Sequence, residues 1–198
     1  MSNRTDTFAP LSPDPAPGLR EQMADALFAR IPEMAEDMTA RPAAALHCMD
    51  FLRHLLRGTT PEEAATFMAY ALAPRHAIWW GHECLQARPE LLTPDDRAMM
   101  ALAAGWVAEP DEPHRYAALD AGQGASARGP GVWLALAAGW SGGSMAPPDL
   151  PAVDVPEFVL GRAVNAAVLT ALARVPQDRR ARMLEHYVGM GDVLAKSG

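Results

Sequence analysis

Gly139-Trp140-Ser141-Gly142-Gly143 is a literal match to the G-x-S-x-G pattern of a serine nucleophile elbow. Asp149 or Asp154 and then His186 follow in the hydrolase order of nucleophile, acid and base. In such a site the imidazole takes the serine proton during attack, the acid orients the imidazole, and backbone N–H groups bind the oxyanion. The chemistry needs a strand to deliver the serine onto a strained turn and a helix directly behind it. Upstream of Ser141 the sequence is Ala-rich and reads as helix, while Pro147-Pro148 downstream blocks an immediate helix. The residues favour a turn between two helices. A serine hydrolase using Ser141 and His186 stands as the alternative.

A second candidate is the His-rich stretch Arg75-His76-Ala77-Ile78-Trp79-Trp80-Gly81-His82-Glu83-Cys84. A metal site on one helix needs ligands three or four residues apart. His76 and His82 point about 120° apart on a helix, and His76 and Glu83 are separated by roughly 10 Å along its axis. One ion therefore needs ligands from another element, such as His47 with Cys48. A metal- or ligand-binding helical domain is the second alternative, but no cofactor is expected. Gly122-Gln123-Gly124 with Gly129 lacks the Lys-Ser/Thr of a phosphate loop and follows no strand, so it reads as a loop.

The same helix carries a different signal. Ala77, Trp80, Gly81, Cys84 and Leu85 form its apolar stripe with Ile78 at the edge, and Trp79 points the opposite way. Trp79 then sits among Arg75, His76, His82, Glu83 and Gln86. A Trp centred on a polar face either packs under another element or is offered to a partner, and Trp and Arg dominate interface hot spots.

The elements that must position these residues are helices. Ala is the commonest residue, 39 of 198, whereas Ile, Val and Thr together number 20. Residues 1–18, with Pro10, Pro13, Pro15 and Pro17, read as a flexible Pro-rich arm, followed by a single α-helical domain over 19–198. Helices are expected at about 19–30 and 42–57, then from Thr60-Pro61-Glu62-Glu63 and from Pro74 to about Arg88. Another opens at Thr93-Pro94-Asp95-Asp96, where the start signal recurs 33 residues after Thr60. That helix is apolar nearly all round, so it is expected to be central. Shorter helices near 112–121 and 132–140 and two last ones, about 157–175 and 177–195, complete the set. The fold class is all-α, an irregular helical bundle or a short stack of helical hairpins, with about eight or nine helices. Arg162 and Asn165 interrupt the apolar helix near 157–175 and need hydrogen-bonding partners if buried.

Charge narrows the partners. Seventeen basic against twenty-four acidic residues give a net charge of −7, which disfavours nucleic acid as a ligand. The densest basic cluster, Arg179-Arg180 with Arg182, lies beside Asp178 and Glu185 and reads as a solvated helix face. Cys48 and Cys84 are too few and too far apart for a disulfide framework, and MSNRTDTFAP has no apolar leader. The longest apolar runs, Ala98–Ala108 and Val132–Trp140, fall short of the ~20 residues a bilayer span needs. A cytoplasmic location is expected.

Two stretches, Ala73-Pro74-Arg75-His76-Ala77-Ile78-Trp79-Trp80 and Trp140-Ser141-Gly142-Gly143-Ser144-Met145-Ala146-Pro147-Pro148, resemble an uncharacterised proteobacterial family of helical proteins of about this length. Trp106-Val107-Ala108-Glu109-Pro110 is similar to it more weakly, and residues 70–155 carry most of the resemblance. Such proteins occur near type VI secretion genes, so the resemblance implies an accessory role there and carries no activity. The function expected is a non-enzymatic cytoplasmic adaptor that binds another protein. Its contact face is expected to comprise Arg75, His76, Trp79 and Glu83, with Trp140, Ser141, Pro147 and Pro148 beside them.

Overall fold

Pro74, Pro94 and Pro130 each stand at the first position of a helix, where the ring pre-sets φ and the missing N–H costs nothing. In the computed structural model, which describes residues 16–146 and 149–197, these helices form an all-α bundle. Among the described residues there are nine α-helices and no strand. They are α1 (Ala24–Arg30), α2 (Cys48–Leu56), α3 (Glu63–Ala71), α4 (Pro74–Gln86), α5 (Pro94–Ala108), α6 (Glu112–Gly124), α7 (Pro130–Gly139), α8 (Glu157–Ala173) and α9 (Gln177–Lys196). Short 3₁₀ helices at Pro32–Glu36 and Pro89–Leu91 lie between them. No described helix is long and apolar enough to cross a membrane.

The centre is α7 and α3. Nine of the ten residues of α7 are buried, all but Trp133, and it packs on α5, α6 and α8. All nine residues of α3 are buried, against α2, α8 and α9. The expectation that the helix after Thr93 is central is corrected: in α5 only Asp96, Met100, Ala103 and Trp106 are buried. Its apolar look comes partly from Ala98, Ala101 and Ala108, which are exposed and have little side chain to hide. Helices approach closely where side chains are absent. A Cβ on Gly161 would lie 2.4 Å from the Tyr70 ring, and one on Gly81 would lie 2.7 Å from Leu134.

The first two helices start later than their periodicity suggests. The chain is already packed at Ala16, which is buried, so the compact part reaches into the expected arm, whose residues 1–15 lie outside the described ones. The Gly18 N–H donates to the Ala195 carbonyl and the Gly18 carbonyl accepts from the Ala73 N–H, while Leu19 bridges Leu72 and Met23 bridges His47. Backbone groups committed to these long-range bonds cannot join a helical ladder, and α1 begins only at Ala24. The helix expected from residue 42 begins at Cys48, because Ala45 adopts φ +56° and His47 caps the helix through Nδ1, which accepts the Met49 N–H. Arg162 finds Asp37 at 2.9 Å and Glu36 at 3.2 Å, both on or beside the first 3₁₀ helix. Asn165 Oδ1 is buried with no partner among the described residues.

Candidate protein-binding face

α4 is set into the bundle by the predicted stripe. Ala77, Ile78, Trp80, Gly81, Cys84 and Leu85 are all buried, and the Trp80 indole N–H donates to the Tyr187 carbonyl at 2.8 Å. Burial and the charge of Glu83 push the Cys84 thiol well above its ordinary range. Burial, with Glu21 and Asp25 nearby, pushes Cys48 up to about 12. Neither sulfur is a thiolate at neutral pH, so both serve as small apolar residues.

The outward face of α4 carries the residues singled out from sequence. Arg75 is exposed and its Nε donates to the Val107 carbonyl at the end of α5, 2.7 Å away. His76 is half-buried, and its Nδ1 is buried without a partner among the described residues. Trp79 is half-buried too: its indole lies parallel to the His82 imidazole, with centroids 4.8 Å apart and planes 6° apart. His82 Nδ1 in turn meets the Glu83 carboxylate at 3.1 Å. This gives a fixed aromatic plate flanked by a carboxylate.

Trp140 and Ser141 lie at the first residue of α4 rather than on its outward face. They line a cavity of about 180 Å³ together with Pro74, the first residue of α4, and with Arg20 and Glu157. Arg75 and His76 are therefore the face residues closest in the chain to this cavity. Trp79 and Glu83 lie about 6 and 12 Å further along the axis from Arg75. Trp140 is half-buried, with its indole N–H buried and unpartnered among the described residues. Pro147 and Pro148 lie outside the described residues.

What holds the Trp140–Ser144 segment is a residue that the sequence reading passed over. Arg115 on α6 is fully buried, and its guanidinium donates to the Gly139 carbonyl at 2.8 Å and the Ser144 carbonyl at 3.0 Å. Glu112 pairs with it through both carboxylate oxygens, and the Tyr116 ring stacks 4.1 Å away. Gly143, at φ +61°, presses on this guanidinium, and a Cβ there would meet Nη2 at 3.0 Å. Glycine is required twice over at that position. The loop is closed beyond it, where Ser144 Oγ accepts the N–H groups of Ala146 and Val153 and Ser144 bridges Asp154. The signal for Arg115 was present, since it falls in register with Ala118, Leu119 and Gly122 on the buried stripe of α6.

The hydrolase residues are not assembled. Ser141 follows a helix, α7, rather than a strand, and it lines the 180 Å³ cavity, whereas His186 lines a separate cleft on α9. Asp149 and Asp154 are exposed. The metal-ligand spacing of the His-rich stretch is not completed by His47, which instead caps α2. Donor atoms of Glu109, Asp111 and His114 do converge within 4.8 Å at the surface. Asp111 is used there as the cap of α6, accepting the His114 N–H at 2.9 Å.

The model of a family of unknown function, DUF6931, matches residues 51–195. The chain belongs to this family. The match runs from α2 to α9 and so includes the α4 face, Arg115 and the Trp140 segment, leaving α1 and the first 3₁₀ helix outside it. No curated protein and no solved structure matches the chain.

Proposed function

We propose that this DUF6931 chain is a non-enzymatic cytoplasmic adaptor or accessory protein that binds another protein through the outer face of α4. The observation that carries this reading is the Trp79 indole, stacked on His82 and half-exposed at the centre of a polar helix face. An aromatic side chain already held in one rotamer loses little conformational entropy when a partner covers it. Arg75 beside it keeps donors free, because only its Nε is engaged by the Val107 carbonyl. The setting we infer, a bacterial type VI secretion apparatus, is supported by the resemblance of the Ala73–Trp80 and Trp140–Pro148 segments. A cytoplasmic location is supported by two free, buried cysteines.

The test is affinity capture of the tagged chain from its native host, comparing wild type with Trp79→Ala. A stoichiometric partner retained by the wild type and lost by the variant, with melting temperatures within a few degrees, is the expected result. A collapse of stability in Trp79→Ala would make the indole a packing residue and end the reading. Labelling of Ser141 by a fluorophosphonate probe would replace it with the hydrolase alternative.

A further inference from the structure

Guanidinium groups in this protein are mostly structural clamps. Arg20 and Arg30 converge on Glu157, Arg162 holds Asp37, Arg174 holds Asp96, and Arg180 turns back to the carbonyls of Ala173 and Val175 at the end of α8. Arg179 and Arg182 differ. Both are exposed, and neither is in an ion pair or a side-chain hydrogen bond among the described residues. With Met183 and His186 they line one side of a cleft of about 640 Å³. Arg88, from the turn after α4, lines the same cleft, and Asp178 stands in its wall. Arg88 also reaches Glu90, an exposed contact that a ligand carboxylate can replace. Among the described residues the cleft thus faces three guanidiniums and one carboxylate, in a chain whose net charge is −7.

We propose that this cleft is a docking site for a short acidic segment of a partner protein. The guanidinium fork matches a carboxylate with two parallel N–H···O bonds, and three forks from two elements can engage successive acidic side chains. From Arg179 to His186 the helix rises about 11 Å, the length of three or four extended residues. Half-buried Met183 between the charges offers an adaptable apolar floor for a side chain interspersed among the acids. A nucleic acid would have to continue from this short patch over an acidic surface, which charge repulsion disfavours. The cleft is on α9 and the turn after α4, so the proposal stands apart from the Trp79 contact and fails or survives without it.

The experiment is fluorescence anisotropy of a labelled peptide carrying four consecutive glutamates, titrated with the full chain at low ionic strength. A glutamine version and a short oligothymidylate serve as competing probes. Binding of the glutamate peptide at least tenfold tighter than the glutamine peptide, weakening as salt is added, is expected. Arg179→Glu with Arg182→Glu is expected to weaken it a further tenfold or more with melting temperature unchanged, both side chains being exposed. Arg53→Glu with Arg57→Glu, exposed on and just beyond α2, makes the same change in net charge and is expected to keep near-wild-type affinity. Undetectable glutamate-peptide binding, equal loss in both double variants, or tighter binding of the oligothymidylate would overturn the proposal. Trp79→Ala is expected to bind the peptide normally.

Discussion

Thr60-Pro61-Glu62-Glu63 and Thr93-Pro94-Asp95-Asp96 carry the same helix-start signal 33 residues apart, and the molecule uses them in opposite ways. At Thr93 the cap closes on itself. The Thr93 hydroxyl accepts the Asp96 N–H at 3.0 Å, and Asp96 Oδ2 accepts the Thr93 N–H at 3.1 Å. The same carboxylate then reaches beyond its own helix, to the Gly131 N–H at 3.1 Å and Arg174 at 2.6 Å, pinning the start of α7 and the end of α8. At Thr60 no side-chain cap forms. Residues 61 and 62 make a turn, α3 starts at Glu63, and the Glu63 carboxylate points away to Thr39 and Ala40. The teaching is that a local cap signal marks where a helix begins, while the tertiary neighbours choose what the carboxylate holds.

The comparison breaks hardest at Gly131. A Cβ there would lie 2.3 Å from the Asp96 carbonyl oxygen, with the Asp96 Cα at 2.6 Å, and backbone cannot swing aside like a side chain. Gly131→Ala is expected to cost about 3 kcal/mol in chemical denaturation.

Asp96→Asn is expected to cost about 2 kcal/mol, because one charge-assisted bond becomes neutral and the half-buried Arg174 loses its ion pair. Acid titration sharpens the point. Burial favours the neutral form of both carboxyls, but Arg174, Thr93 and Gly131 outweigh it at Asp96, and Thr39, Ala40 and Arg41 do so at Glu63. Both are held below their ordinary values of 3.8 and 4.5. Their stabilisation is therefore complete above those values and is lost as pH falls through the lower, folded ones. Wild type should lose stability steeply below about pH 4, and Asp96→Asn should lose less over that window, read by thermal melts across pH.

The smallest effect tests the caps themselves. Thr93→Ala should cost about 1 kcal/mol and Thr60→Ala less than about 0.5 kcal/mol. Equal losses would mean that the Thr60 turn is capped after all.

Much of the candidate face was legible because it depends on one helix. The alternation of Ala77, Trp80, Gly81 and Cys84 with Arg75, Trp79 and Glu83 places each side chain by angle alone, and the buried stripe of α4 follows it. Arg115 was legible in register but was passed over, since an arginine on a buried stripe has meaning only once its acceptors are known. Those acceptors, the carbonyls of Gly139 and Ser144, are 24 and 29 residues away in the chain. The late starts of α1 and α2 were hidden for the same reason, because the backbone bonds of Gly18 run to Ala195 and Ala73 and the Cys48 N–H at the start of α2 donates to the distant Gln22 carbonyl.

By itself the sequence determined the helical content, the proline-marked starts of α4 and α5 and the buried stripe of α4, because these rest on interactions within about four residues. Only the tertiary structure decided that α3 and α7 rather than α5 fill the centre, that Arg115 clamps the Trp140 loop, and that Arg88 lines one cleft with Arg179 and Arg182. Each of these depends on groups far apart in the chain, whose meeting is set by which faces pack with the fewest voids and unpaired polar groups.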